Sequence, residues 1–335
     1  MKTITGFKKR DNLTRTVFES GDFRYELEPD YGMLPDHLMF TTYSSCCCDK
    51  NDNLFLVSRN NSHPVVALDP RGNYVKDFGK GLFRELHGIC MTPNDTLFCV
   101  DTDQHVIREL SKDGQWIRDI GSIDEPSDSG FDANVWLKMQ RKGTIVATDI
   151  PFNPPWAFVE SLKTIQRAAP PFNRPTGVCF DKKGDFFVSD GYGNASVHHF
   201  DSSGSLIKTW GGPGNEPGKF IIPHAIWVDI QDRIWVADRE ANSLHIFAQD
   251  GQVLGYMNED LYQPSELWAD QQYMYVGERG GGITIIDMEL KVVAQLGFFN
   301  SPLRTHGICG TSNGDLIIAT LRSYDGHYLM RLHRV

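Results

Sequence analysis

The stretch Pro175-Thr176-Gly177-Val178-Cys179-Phe180-Asp181, the turn Lys183-Gly184 and the run Asp185-Phe186-Phe187-Val188-Ser189-Asp190 read as two short strands joined tightly. The same arrangement returns along the chain. Leu86-His87-Gly88-Ile89-Cys90-Met91 precedes the turn Asn94-Asp95 and then Thr96-Leu97-Phe98-Cys99-Val100-Asp101. Pro223-His224-Ala225-Ile226-Trp227-Val228 precedes Arg233-Ile234-Trp235-Val236-Ala237-Asp238. Further copies begin at Pro264-Ser265-Glu266-Leu267-Trp268 and at Thr305-His306-Gly307-Ile308-Cys309, and a degenerate first copy runs from Ser44 to Arg59. A third stretch such as Val197-His198-His199-Phe200 and a fourth such as Leu206-Ile207-Lys208-Thr209-Trp210-Gly211 complete each unit. Four strands in roughly 40–45 residues describe a propeller blade.

Six copies predict an all-β fold, a six-bladed β-propeller spanning 1–335 as a single domain. The last copy ends at its third strand, Tyr328-Leu329-Met330-Arg331-Leu332. Phe23-Arg24-Tyr25-Glu26-Leu27, within an N-terminal arm over 1–42, is expected to supply the missing fourth strand and remove an open edge. The second and third copies start about twice as far apart as the others. The surplus, 122–174, carries several prolines and an expected helix from Trp156 to Ala169, and reads as an inserted segment. It is expected to be lid-like, over one mouth of the channel, because long ordered insertions are often functional. A tolerated surface insertion is the alternative.

Composition narrows the partners. The 335 residues hold 33 Lys+Arg against 43 Asp+Glu, a net charge of −10, which argues against nucleic acid because phosphate binding needs a concentrated basic surface. Lys8-Lys9-Arg10 is too short to supply one. Thirty-one glycines and 17 prolines suit many turns rather than a helical bundle. No apolar run approaches the ~20 residues that cross a bilayer, and Met1 to Lys9 lacks the apolar core of a secretory leader. Seven cysteines without scaffold spacing suit a reducing compartment, so a cytoplasmic protein with a small-molecule substrate, and neither membrane nor nucleic-acid partner, is expected.

Alignment of the copies places Ser44, His87, Thr176, His224, Ser265 and His306 at the position that opens the first strand of blades one to six. First strands line the channel of a propeller, and alternate blades of six lie 120° apart. His87, His224 and His306 are therefore expected to converge on the axis at one height. Three imidazoles with a vacant position are the ligand set of a catalytic zinc centre, although another divalent transition metal also accepts them. Cys46-Cys47-Cys48 resembles a metal motif, but neighbours on a strand point to opposite faces. These thiols and Cys90, Cys99, Cys179 and Cys309 read as packing.

The ends of the second strands form another level. Asp190 and Asp238 are expected to cap the turns that follow them. Tyr192, Arg59 and Arg239 are the candidates to reach the channel. A guanidinium beside a phenol favours phenolate, which would make Tyr192 a general base.

The repeats resemble NHL-type six-bladed propellers, and Pro175 to Phe247 is similar to the peptidyl-α-hydroxyglycine α-amidating lyases. The matching motifs are Val188-Ser189-Asp190-Gly191-Tyr192-Gly193-Asn194, Trp210-Gly211, Pro217-Gly218-Lys219-Phe220, Pro223-His224 and Ala237-Asp238-Arg239-Glu240. The resemblance implies zinc on His87, His224 and His306, with Tyr192 as base beside Arg239. It also implies Arg59 at the substrate carboxylate, and cleavage of a carbinolamide N–C bond to an amide and glyoxylate. Two positions depart from the family. Its aspartate after the third histidine, a structural-calcium ligand, is Gly307 here, which removes one reason to expect calcium. Its apolar pocket residue two before that histidine is Arg304, which suggests a more anionic substrate.

The expected activity is thus a metal-dependent lyase on a small hydroxylated, carboxylate-bearing substrate, with Arg59 and Arg304 as substrate-binding groups. A hydratase or hydrolase that activates water at the same centre is the alternative enzyme. A non-catalytic NHL scaffold is the alternative of another class.

Overall fold

Each second strand is a nearly unbroken apolar run, as in Leu54–Ser58, Leu97–Asp101 and Ile234–Asp238, because a neighbouring sheet covers both of its faces. Fourth strands such as Leu206–Gly211 and Val253–Met257 are largely exposed and polar or mixed. That gradient, buried inside and wet outside, defines a radial array of blades. The computed structural model describes residues 16–38, 40–143, 155–298, 301–324 and 326–335, and these form six antiparallel sheets.

Blades one to five each hold four strands in sequence order, running from Tyr43–Cys48 in the first to Val292–Leu296 in the fifth. Blade six holds Gly307–Gly310, Leu316–Tyr324 and His327–Arg334, and then takes Phe23–Glu28 as its fourth strand, with Leu27 opposite Leu332. Val17–Ser20 adds a fifth strand outside it, which sequence periodicity did not signal. The ring is closed by pairing the two ends of the chain, as expected. Residues 1–15 of the expected arm, including Lys8, Lys9 and Arg10, lie outside the described residues.

The core is divided into six layers, one between each pair of neighbouring blades. Tyr275, Ile283 and Ile285 of blade five meet Ile308, Ile318 and Met330 of blade six, and the closing strand adds Phe23, Tyr25 and Leu27 to this layer. Leu56 and Val66 of blade one meet Ile317 and Ala319 across the junction of the first and last blades. No layer is complete without its neighbour, so the molecule folds as one ring.

Hairpin turns repeat as well. Asp181 Oδ1 accepts the amides of Lys183 (2.8 Å) and Asp185 (3.0 Å), and Asp229 Oδ1 accepts those of Gln231 (2.9 Å) and Arg233 (3.0 Å). Such self-capping turns are the physical reason for the Asp at the end of so many first strands.

The inserted segment holds two short helices, Val135–Arg141 and Pro155–Leu162, and its residues 144–154 lie outside those described. The expected helix to Ala169 stops seven residues early. After Leu162 the chain turns back: Ile165 bonds to Leu162, and the Gln166 amide donates to Ser129 O at 2.8 Å instead of continuing a helical ladder. Among the described residues, no helix is long and apolar enough to cross a membrane.

Candidate metal centre

The three histidines meet on the axis. Ring centroids of His87, His224 and His306 are 4.9, 5.0 and 5.3 Å apart, a nearly equilateral triangle, and each residue is at most 3% exposed. One ring nitrogen from each lies within 4.8 Å of the other two.

The alternating blades fix the orientation of the rings. His87 Nδ1 donates to Thr176 O (2.8 Å), His224 Nδ1 to Ser265 O (2.6 Å) and His306 Nδ1 to Ser44 O (2.6 Å). Every acceptor is the residue that occupies the histidine position in the next blade. With Nδ1–H committed to a carbonyl, each Nε2 carries a lone pair, and the tautomer is set as for a metal ligand held by an outer partner. Burial pushes all three rings toward the neutral form: His306 to about 3, and His87 and His224 well below the ordinary histidine value. The charges of Arg59 on His87 and of Arg239 on His224 act in the same direction.

Glycines let the blades approach so closely. A Cβ on Gly88 would stand 2.7 Å from Thr176 O, the acceptor of His87, and one on Gly307 would stand 2.7 Å from Ser45 Cα. A side chain at 307 would force the first and last blades apart, which is a steric reason for glycine there.

The carboxylates at the second-strand ends bond within the turns that follow them, as expected of Asp190 and Asp238, and also hold the segments that lead into the first strands. Asp238 accepts the amides of Ile221 (2.8 Å) and Ile222 (2.7 Å), just before His224, and Asp101 accepts those of Arg84 (2.7 Å) and Glu85 (3.2 Å), just before His87. Asp190 accepts Asn173 N, and Glu278 accepts Tyr262 N, at the same place in blades three and five. Burial raises Asp238 to about 7. Sequence separation hid this second role: besides its own turn, where Asp101 accepts the amides of Asp103 and Gln104, the carboxylate holds a segment some 16 residues upstream.

Tyr192 sits above the triangle. Its hydroxyl is 3.0 Å from His87 Nε2 and 2.9 Å from His224 Nε2, and it accepts a hydrogen bond from Arg239 Nη1 at 3.0 Å. Arg239 is 5% exposed and also donates to Glu240. The structure thus brings together His87, His224, His306, Tyr192 and Arg239. Arg59 Nη1 donates to Glu85 Oε1 at 3.3 Å, and its charge reaches His87 and His306. Arg304 is half-buried in the loop before His306, with its amide on Pro302 O.

Arg279 was missed by the sequence reading. It follows Glu278 at the second-strand end of blade five, as Arg239 follows Asp238 in blade four, and its amide donates to Gln263 O at 2.9 Å. It is half-buried, pushed down by burial and then by the charge of Arg239, and it also acts on His306. No carboxylate pairs with its side chain among the described residues. The signal was available, because Gly277-Glu278-Arg279 aligns with Ala237-Asp238-Arg239.

The inserted segment packs on the same side. The rings of Phe158 and Tyr192 are 5.6 Å apart and edge-on, while Ser129 Oγ donates to Gly193 O. A cavity between the first strands is lined by Cys47, Cys90, Trp227, Glu266 and Trp268. Neither Tyr192 nor any arginine is among the residues that line it.

Fold and site define a six-bladed propeller with a buried three-histidine centre under a tyrosine and an arginine. Residues 172–200 match the NHL repeat family model. The chain is 25% identical over 237 residues to human NHL repeat-containing protein 3, covering 70% of this chain and 60% of that protein. It is 27% identical over 199 residues to peptidyl-alpha-hydroxyglycine alpha-amidating lyase 1 of Drosophila melanogaster, covering 55% and 29%. The chain therefore spans less than two thirds of the length of these curated relatives. The virginiamycin B lyase of Staphylococcus aureus superposes with a TM-score of 0.60 at 10% identity, over 93% of this chain and all of that one, and shows the fold alone. Relatives and structural neighbours alike include enzymes.

Proposed function

We propose that the chain is a metal-dependent lyase, with zinc on His87, His224 and His306, that cleaves the N–C bond of a small carbinolamide bearing a carboxylate. The observation that carries this reading is the donor set. Three Nε2 lone pairs face one another, and the single Tyr192 proton can satisfy only one of them. A cation completes such a site; a satisfied polar core would not be built from acceptors alone. Held there, a zinc ion would supply Lewis-acid stabilisation of developing negative charge on the substrate oxygen.

The chain's own residues account for the proton. Tyr192 Oη, which accepts a hydrogen bond from Arg239 Nη1, takes the proton of the substrate hydroxyl. As the C=O bond forms, the C–N bond breaks and its electron pair leaves on nitrogen. The same proton passes from Tyr192 to that nitrogen, so the products are a primary amide and an α-keto acid or aldehyde acid such as glyoxylate, and the tyrosine is restored. Arg59 and Arg279 would hold the substrate carboxylate, with Arg304 at the rim. Phe158 and the inserted segment would act as a lid that keeps water from Tyr192. The seven free cysteines support a reducing, cytoplasmic setting.

The test is a purified sample analysed for metal and incubated with an N-acyl-α-hydroxyglycine in 18O-labelled water. Stoichiometric zinc, with glyoxylate released and no labelled oxygen in the amide, is expected. Labelled oxygen in a released carboxylic acid, with no primary amide formed, would favour a hydrolase, and a sample that binds no metal at the three histidines would favour a scaffold.

A further inference from the structure

A second group of ligating side chains lies outside the channel, at the rim of blade one, and the mechanism makes no use of it. His37 belongs to the 3-10 turn Asp36–Leu38 in the segment that leads into the blade, His63 to the loop after Leu54–Ser58, and Asp77 to the outer strand Tyr74–Phe78. Three separate elements thus converge on one point. One ring nitrogen of each histidine and one carboxylate oxygen of Asp77 all lie within 4.8 Å of one another. His63 Nδ1 is 2.7 Å from Asp77 Oδ1, His37 Nε2 is 3.7 Å from Asp77 Oδ2, and the two imidazole centroids are 4.5 Å apart.

A tetrahedral ion with bonds of about 2.0–2.1 Å spaces its ligands by roughly 3.3 Å, and the two nitrogen–oxygen separations bracket that value. The carboxylate is already oriented from outside, because Tyr74 Oη donates to Asp77 Oδ2 at 2.6 Å, the outer contact that ligating carboxylates use. No lysine or arginine competes for Asp77 among the described residues. The side chains of Asp77, His63 and His37 are 18%, 28% and 48% exposed, so the group is firmly seated yet open on one side to a water or a fourth ligand.

We propose that His37, His63 and Asp77 form a second divalent-metal site, structural in role, that fastens the lead-in segment to blade one. Two imidazoles and one carboxylate select zinc or a neighbouring borderline ion over calcium and magnesium, which require oxygen ligands. The fastening bears on the channel, because His63 and Arg59 share the loop 59–64, closed by His63 N donating to Asn60 O at 2.8 Å. The site stands independently of the channel chemistry.

Equilibrium dialysis against zinc, followed by elemental analysis of the full chain, tests it. The parent is expected to hold two zinc ions, the H37Q/H63Q variant one, and the His87/His224/His306→Ala variant one, retained at the rim. Zinc should also raise the melting temperature of the channel variant, and the further H37Q/H63Q change should abolish that rise. An H37Q/H63Q variant that binds as much zinc as the parent overturns the proposal, as does a channel variant that binds none while remaining folded. Asp77→Asn, which keeps the hydrogen bond from Tyr74, gives the same loss of one ion should the double variant fold poorly. Loss of the channel ion alone would count against the lyase reading and leave the rim site standing.

Discussion

Replacing Tyr192 by Phe removes one oxygen atom and leaves the ring packed edge-on against His87 and Phe158, with centroids 5.1 and 5.6 Å away. Three contacts vanish: those to His87 Nε2, to His224 Nε2 and from Arg239 Nη1. If Oη carries the proton from substrate hydroxyl to leaving nitrogen, its loss costs roughly 10²–10⁴-fold in kcat, equivalent to about 3–5 kcal/mol of barrier at 1.36 kcal/mol per tenfold. The stability cost is separate. Arg239 keeps its bond to Glu240 but loses another while buried, which costs about 1–3 kcal/mol. The histidines lose no Nδ1–H acceptor, so zinc content should be unchanged. Glyoxylate release under saturating substrate, together with elemental analysis and a denaturant melt, separates these effects. Turnover within tenfold of the parent, at full zinc content, would refute the role of Tyr192. Loss of zinc along with turnover would instead make it a positioning residue for the ring.

Arg279→Met keeps the stem and removes the charge; KM for a carboxylate substrate should rise about 10–100-fold, from a charge-assisted hydrogen bond of about 1.5–3 kcal/mol, with kcat little changed and no effect on a substrate amidated at that carboxylate. Deleting residues 1–28 removes Phe23, Tyr25 and Leu27, which are 3%, 0% and 4% exposed. At about 1.5–3 kcal/mol for each buried side chain, that loss approaches the whole stability of a domain, so size-exclusion chromatography should find an unfolded or aggregated chain. His245 is pushed to about 4 by burial, against about 6.5 when unfolded. On acidification the unfolded chain therefore takes up the proton first, and stability falls as pH drops through that window. The parent should lose about 2 kcal/mol between pH 7 and pH 5 that a His245→Gln variant does not lose, read from urea melts at the two pH values.

The fold was legible because a propeller repeats its evidence. Each blade carried the same strand–turn–strand signal, so a weak reading at Ser44–Arg59 could be calibrated on strong ones at Pro175 and Pro223. The closing strand was legible by deficit, since blade six ran out of chain at Leu332. Val17–Ser20 was not, because a strand added outside a completed blade satisfies no deficit. The three converging histidines emerged from alignment alone. Their acceptors did not, because a backbone carbonyl leaves no trace in residue type; Thr176, Ser265 and Ser44 looked like positions where histidine was merely missing. The turn bonds of Asp190 and Asp238 were legible from local chemistry, but their second partners were not, because these are backbone amides upstream at the start of the same blade. Helix length in the insertion failed for a different reason: tertiary bonds from Gln166 and Arg167 to Ser129 override a sequence able to continue.

The alternation itself argues against a passive scaffold. Six equivalent positions face the axis, and a ring that served only closure would be filled most simply by small or apolar residues at all six. Here the odd blades carry the small hydroxylated residues Ser44, Thr176 and Ser265, and these lie where the even blades need an acceptor. Their hydroxyls carry the network onward: Ser44 Oγ donates to His87 O at 3.0 Å, and Thr176 Oγ1 to Pro223 O at 2.8 Å, beside His224. Ser44 and Thr176 therefore each link two even blades, accepting a hydrogen bond from one and donating one to the next, whereas the Ser265 hydroxyl turns back to Gln263 O. Three neutral imidazoles in a site at most 3% exposed, with their lone pairs turned inward, destabilise the chain on their own account. Arginines crowd around them rather than carboxylates, which rules out compensation by protonating the rings. A cation held by the three imidazoles would offset such an arrangement, which makes elemental analysis of the purified chain the decisive measurement.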